Sequence, residues 1–360
     1  MMLTIYTLFN DPNIVNAVIQ RVLQTRKDTI YWQQYLDFRR TTTRVFKDYI
    51  GQVTGVMAGS INSRYGEKPI RERRNIGSGY GEIAYLGDRY QISVDRLSEL
   101  QDLIDKYNAA KPADQIAAMQ DIVNFIYDDY RQVLLAPHKR MDMVLGSMLM
   151  TGEATVKNKD DNAGGVNLLE IKLPFKFITP EAEAKTKFIT YLQQKVNELK
   201  SIYGTFPKMI MSRGTFVKNI IGSEEFGDKF KMQLTGNEMY LSTGLITSQL
   251  ASSIFTGIGL PAIEIKEDYV LDQTGKNVQI YADDRITLLP QDKIGYMRFH
   301  TPYEAVDGVP GRNYTQADGE MLISGYKDGN GRYLEYTAEW IPQITNPNLI
   351  VNFDLSTMNA

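Results

Sequence analysis

From Asp114 to Val156 the apolar residues recur in steps of three and four. They fall at Met119, Ile122, Val123, Ile126, Tyr130, Val133 and Leu134, then at Met141, Val144, Leu145 and Met148. Residues three and four apart share one face of a helix, so the spacing predicts an amphipathic helix over about 114–150. Pro137 interrupts the run, yet the phase is kept on both sides, which predicts one kinked helix rather than two unrelated ones. At 1.5 Å per residue a helix of this size is roughly 50 Å long. It stops abruptly at "LMTGEATV" and turns into extended chain. Few compact enzymes need a rod of that length, whereas proteins that build extended assemblies often do.

The pattern before the rod changes twice. Val15, Val18, Ile19 and Val22 lie on one face of an N-terminal helix whose start is marked by Asp11-Pro12. Two readings fit this segment: an ordinary N-terminal helix, or an arm reaching onto a neighbour. Residues 39–81 are rich in glycine and β-branched residues and have too little apolar content for a core. A long two-stranded excursion fits them, and an isolated hairpin is marginal in water, so it needs something to lie on. Residues 91–110 read as a helix with Ser93 as N-cap and a broad stripe of Val94, Leu97, Leu100, Leu103, Ile104 and Tyr107.

After the rod, residues 152–178 read as a hairpin, its second strand being "VNLLEIKLPFKFI". Residues 181–203 are helical in pattern, "PKMIM" at 207–211 reads as a buried strand, and Ser212 caps a short helix to Ile221. A helix at 244–257 and a strand, hairpin, strand run to about 290 complete a mixed α/β unit, 181 to about 300. A looped stretch, 301–319, precedes the hairpin "MLISGYKDGNGRYLEYTAEWIP" with its Asp328-Gly329-Asn330-Gly331 turn. "NLIVNFDLS" is a closing strand. These last strands are expected to return to the hairpin region laid down before residue 180.

Charge sharpens the contrast between neighbouring segments. From Arg39 to Arg74 there are nine basic and three acidic residues, a net of +6. From Asp95 to Asp129 there are eight acidic and three basic residues, a net of −5. A basic loop thus directly precedes an acidic helical segment. Arg64, Lys68, Arg71, Arg73 and Arg74 on one side, and Asp121, Asp128 and Asp129 on the other, are candidates to meet between subunits. The basic run also fits phosphate binding, but the chain as a whole, at −3, is not an electrostatic nucleic-acid binder.

Candidate chemistry is thin. The 360 residues include no cysteine, which excludes disulfides, thiolate metal sites and cysteine nucleophiles. Only His138 and His300 are present, so a histidine-rich metal site is excluded too. Gly77–Gly81 lacks dinucleotide-loop spacing, and the GxGxxA match at Gly257–Ala262 precedes a strand instead of following one. Asn158, Asp160 and Asn162 echo a calcium loop, but Ala163 stands where its glycine belongs. His138 is in phase with the apolar face of the rod and reads as a hydrogen-bonded packing residue. Nothing near His300 in sequence makes it a base. No cofactor is expected. The N-terminus lacks the pattern of a secretory signal and no run approaches ~18 apolar residues, so a soluble product made in a cytoplasm is expected.

The order of these elements resembles the tailed-bacteriophage major capsid protein, an α+β fold of the Hong Kong 97 type, in its lambda-like branch. "YDDYRQVLLAPHKRMDMVLGSMLMTGEATV" looks like that branch's spine helix and its exit, where a "TMTGEA"-like phrase follows a similar helix. "PNLIVNFDLSTMNA" looks like the closing strand and "PKMIMSRGTFVKNI" like a strand-to-helix step. The resemblance implies an N-terminal arm at 1–38, an extended loop at 39–90 and a peripheral domain from 91–185 and 318–345 with spine helix 114–150. It implies an axial domain from 186–317 and 346–360. It further implies pentamers and hexamers of an icosahedral shell around double-stranded DNA. Portal, scaffolding and decoration proteins would be partners; no membrane and no substrate turnover are implied, and the location is the virion. A related shell around cellular cargo is the first alternative, an enzyme with an unrecognised site the second. Pro137 is outside the family pattern and marks a candidate hinge, or a fixed kink, in the spine.

Overall fold

The computed structural model describes residues 2–25, 29–50, 77–157, 167–223, 225–226, 247–271, 275–329 and 331–359. The first half holds α1 (Ile5–Asn10), α2 (Pro12–Thr25), β1 (Leu36–Arg40), β2 (Val45–Ile50), β3 (Gly77–Glu82), β4 (Ala84–Ile92), α3 (Val94–Ala109), α4 (Gln115–Thr151), β5 (Glu153–Lys157), β6 (Asn167–Lys172) and β7 (Lys176–Ile178). The second holds α5 (Phe188–Tyr203), β8 (Lys208–Ser212), the helix Ser248–Gly257, β9 (Ala262–Lys266), β10 (Tyr269–Leu271), β11 (Asn277–Gln279), β12 (Arg285–Leu289), β13 (Gly295–His300), β14 (Tyr314–Gln316), β15 (Leu322–Asp328), β16 (Gly331–Ile344) and β17 (Val351–Asp354).

The rod is a single 37-residue helix, α4, running unbroken through Pro137. Its buried residues include Ile122, Ile126, Tyr130 and Val133 before the proline and Met141, Leu145, Met148 and Leu149 after it. Both halves therefore bury the same stripe, as the conserved phase of the pattern requires. Gly152 ends the helix with φ 71°, and its N–H donates to Met148 O at 2.9 Å. That left-handed cap is where glycine is favoured, which explains physically why the exit phrase carries one.

A six-stranded sheet packs on α4. It runs β1-β13-β16-β15-β14, and β16 pairs β4 along its other side. β1 is parallel to β13, whereas β13, β15 and β4 are all antiparallel to β16. Alternate residues of β16, Leu334, Tyr336, Ala338 and Trp340, join the same core as the buried face of α4. A second sheet, β7-β17-β12-β8-β9, forms the mixed unit. Met209 and Met211 of β8 face a helix-covered core with Leu192, Val196 and Phe255, whereas Ile210 belongs to the core around α4. A strand buried on both faces reads as the continuous apolar run "KMIM" rather than as alternation.

Several sequence expectations are corrected by strand pairing. "VNLLEIKLPFKFI" is two strands, not one. β6 pairs β5 in the expected hairpin, but β7 pairs β17 in the second sheet, with Leu173-Pro174-Phe175 between them. Pro174 lacks a ladder donor, so the chain changes sheets there. β17 does return to β7, yet β16 pairs β4, β13 and β15 rather than the β5–β6 hairpin. Residues 295–300 and 314–316, grouped on pattern with the mixed unit and the loop after it, are strands of the six-stranded sheet. The N-terminal helices pack on their own chain. Val18 and Val22 are fully buried, Arg21 donates to Asn124 of α4 at 2.7 Å, and the Asn108 side-chain amide accepts from Leu3 N–H and donates to Leu3 O, each at 2.9 Å.

Candidate functional site

The two histidines sit in different surroundings. His138 is 1% exposed and lies in a box of rings, stacked on Trp32 at 5.7 Å and tilted against Trp340 at 4.8 Å. It packs, as its phase on α4 suggests. Among the described residues no group of three or more His, Cys, Asp or Glu side chains is placed to hold a metal ion, and no helix is long and apolar enough to cross a membrane. The Asn158, Asp160 and Asn162 turn lies outside the described residues. What the chain offers instead is an outlying hairpin, its attachment to the large sheet, and an acidic helical surface.

β2 and β3 pair antiparallel from Val45↔Glu82 to Ile50↔Gly77 and form a two-stranded sheet of their own. The two legs of this excursion enter through β1, which ladders with β13, and leave through β4, which ladders with β16 over nine residue pairs. At the root, Ile83 N–H donates to Arg44 O at 3.0 Å and Thr41 N–H to Phe299 O at 2.8 Å. The Arg44 guanidinium grips Glu339 with two hydrogen bonds, Nε to Oε2 at 3.0 Å and Nη2 to Oε1 at 2.6 Å. His300 Nδ1 lies 2.8 Å from the same Oε2 and acts as donor there, since a carboxylate only accepts. Glu339 is 2% exposed. Nothing near His300 in sequence announced this carboxylate, because its partner comes from across a sheet ladder. The one available signal was a charge inside the apolar run "YTAEWIP".

The outward face of the same sheet carries more planar and charged groups. Arg89 pairs with Glu335 at 3.5 Å and lies over the rings of Tyr326 and Tyr333. Arg312 also stacks on this cluster, 3.4 Å from the Tyr326 centroid. Such stacks hold long side chains flat on a surface.

The acidic segment is partly satisfied within the chain. Asp129 pairs with Arg96 at 2.9 Å, and burial raises its pKa against the opposing pull of that arginine. Asp121 and Asp128 are exposed. An open groove of about 410 Å³ lies between α2, α3 and the start of α4, lined by Arg21, Tyr107, Ile116 and Met119. Arg64, Lys68, Arg71, Arg73 and Arg74 lie outside the described residues, so the expected pairing with Asp121 and Asp128 is untouched by this geometry.

Sequence reasoning also passed over Asp142. It is on the buried stripe of α4, fully inaccessible, and accepts the Trp32 N–H at 2.9 Å. Lys139 Nζ lies 3.3 Å from its other oxygen and donates to Thr29 O at 2.6 Å. Burial pushes the Asp142 carboxyl up to about 6, against the lowering pull of the Trp32 N–H and of Lys139. Spacing of four residues from His138 put it on the apolar face; a charge there signals a buried partner.

No known family profile matches the sequence, and no curated protein matches it. Solved structures do. A capsid-assigned prophage protein from E. coli CFT073 superposes with a TM-score of 0.59 at 13% identity, covering 96% of this chain and 98% of that one. A phage-related protein from Bordetella bronchiseptica RB50 gives a TM-score of 0.52 at 8% identity over the same shares of the two chains. The likeness runs end to end and shows the fold: α+β, of the Hong Kong 97 type, as the element order implied.

Proposed function

We propose that the chain is the major capsid protein of a tailed bacteriophage or prophage, a non-enzymatic subunit whose pentamers and hexamers close into an icosahedral shell around double-stranded DNA. The observation that carries this reading is the end-to-end likeness in fold to a capsid-assigned prophage protein. The outlying β2–β3 hairpin agrees with it physically. Obligate interfaces run to ~2,000–5,000 Å² of buried surface, and an extended hairpin adds area without enlarging a core. In this reading 1–38 is the arm, 39–90 the extended loop, the six-stranded sheet with α3 and α4 the core of the peripheral domain, and the sheet β7-β17-β12-β8-β9 with its helices the core of the axial domain. Portal, scaffolding and decoration proteins are the expected partners, the virion the expected location, and the host cytoplasm the site of synthesis.

Negative-stain microscopy and sedimentation of the expressed chain, with and without its scaffolding partner, test the reading. Pentamers, hexamers or closed shells are expected. A chain that stays monomeric even with scaffold and portal present refutes it. The charge pairing is tested in the same assay by reversing Arg71, Arg73 and Arg74 to glutamate. One exposed pair is worth only ~0–1 kcal/mol, so the effect comes from many copies. The triple variant is expected to fold but not to close shells; normal shells from it would remove the loop-to-Asp121 and Asp128 pairing.

Pro137 is proposed as a hinge of the spine. Its ring cannot donate to the Val133 carbonyl, a defect worth ~3 kcal/mol in a helix interior. Pro137→Ala loses two buried ring carbons at ~0.8 kcal/mol each, so a net gain in stability of about 1 kcal/mol is expected. The family resemblance implies a spine that changes curvature as the shell matures and expands; if shells of this variant form but stall before expansion, the hinge stands. If they expand as the parent does, the proline is a fixed structural feature.

A further inference from the structure

We infer that Glu339 is the positioning residue of the extended hairpin: its buried carboxylate, clamped by Arg44 and His300, sets the direction in which the hairpin leaves the large sheet. The hairpin's own ladder, Val45↔Glu82 to Ile50↔Gly77, holds its two strands together but does not fix their direction. That is decided at the root. Residues 41–44 bridge from the end of β1 to the start of β2, and Ile83 is the single residue between β3 and β4.

Glu339 stands where three strands meet at this root. In register it faces His300 of β13 on one side and Tyr85 of β4 on the other. β13 lies directly beside the entering leg β1, and β4 is the strand on which the excursion returns. The carboxylate therefore lies between the two legs. Arg44 reaches it from the last residue before β2, so its grip ties the departing leg to the centre of the sheet. A two-point guanidinium–carboxylate contact restricts rotation as well as distance, which a single hydrogen bond does not. His300 takes a further lone pair of Oε2 and holds the carboxylate plane in place for that fork. Arg44 is half exposed while Glu339 is buried, so the sheet supplies the fixed member and the hairpin the adjustable one.

Neighbouring contacts support the legs without duplicating the clamp. Arg40 Nε lies 3.1 Å from Glu320 Oε1 and Arg40 Nη2 donates to Thr301 at 2.9 Å, steadying the end of β1. Tyr85 donates to Glu304 at 3.0 Å beside β4. Both act before or after the hairpin; Arg44–Glu339 acts at the residue from which it departs. The inference rests on the proposed function only for what the direction is used for, namely presentation to a neighbouring copy.

The absence of cysteine allows a direct test. Cysteines placed at Asp48 in β2 and Lys327 in β15 carry spin labels, and the distance distribution is measured on the unassembled subunit. A narrow distribution is expected for the parent and a broadened one for Glu339→Gln, which keeps size and hydrogen-bonding shape. Arg44→Gln, a change at a half-exposed residue, is expected to broaden it equally, and the double variant no further. Hydrogen exchange over 331–344 should stay at the parent's level in Arg44→Gln. Unchanged distributions in both single variants overturn the inference, as does double-variant broadening that is the sum of the two. Broadened hairpins that still close normal shells uphold the positioning role and count instead against the hairpin as an assembly element.

Discussion

Replacing Trp32 with alanine is expected to destabilise the chain by about 3–5 kcal/mol, the range for truncating a buried aromatic. Trp32 is completely buried and sits where the N-terminal segment, the long helix and the last long strand converge. Its ring stacks on His138 of α4 with an interplanar angle of 11°, meets Trp340 of β16 at 6.4 Å and stands edge-on to Phe38 of β1 at 4.8 Å. Alanine would leave a cavity bounded by rigid rings that cannot collapse into it. Trp32→Phe is expected to cost far less, because the Trp32 Nε1 has no acceptor among the described residues to lose. Trp340→Phe should cost more than Trp32→Phe, since the Trp340 Nε1 donates to Gly319 O at 2.9 Å and its removal strands that carbonyl. The chain has two tryptophans, both in this cluster, so fluorescence-detected urea unfolding reads this junction directly. Equal midpoints for the parent and Trp32→Ala would show that the ring box is not a stability element.

The second large effect is a pH dependence centred on Asp142. Its carboxyl is raised to about 6 in the folded chain, chiefly by burial. An unfolded aspartate titrates near ~3.9. The folded state thus holds this proton more tightly. The associated stability is fully present below pH ~4 and is lost as pH rises through about 6. At 1.36 kcal/mol per pKa unit, the loss is about 3 kcal/mol. Asp142→Asn cannot titrate, and its Oδ1 can still accept the Trp32 N–H. The difference between the parent and Asp142→Asn unfolding free energies is therefore expected to drift in favour of the variant between pH 4 and 7, then level off. Taking the difference cancels the other titrations, including Asp129, which is raised, and Glu264 and Asp354, which are lowered. Parallel profiles across that window would show that the carboxylate is ionised in the fold at little cost.

Both predictions concern the segment 29–38, and pattern reading did not single it out. "IYWQQYLDF" has no clean helical or alternating period. Its Tyr31, Trp32 and Tyr35 are all fully buried because they fill the space between α4 and the sheets rather than one face of an element. A residue whose burial comes from three directions leaves no periodic trace.

What the sequence determined by itself is the set of elements with strong local periodicity or punctuation. The long helix, its continuation through Pro137 and its exit at "LMTGEATV" were all legible, because helical spacing is a local property, whereas the left-handed Gly152 cap is seen only in the structure. Equally legible were the Ser93 cap, whose Oγ accepts the Arg96 N–H at 3.3 Å, the hairpin of β15 and β16, and the both-sides-buried strand β8. Their order along the chain sufficed to suggest the fold. Only the tertiary structure decided which strands share a sheet. Pairing is a non-local choice, and a strand's own pattern states which face is apolar, not which neighbour lies beside it. β7 and β13 were misplaced for that reason. The Arg44–Glu339–His300 clamp and the Asp142 contact were beyond reach for the same cause. Each joins residues brought together by sheet register or helix packing, and the 295 positions separating Arg44 from Glu339 carry no mark of their meeting.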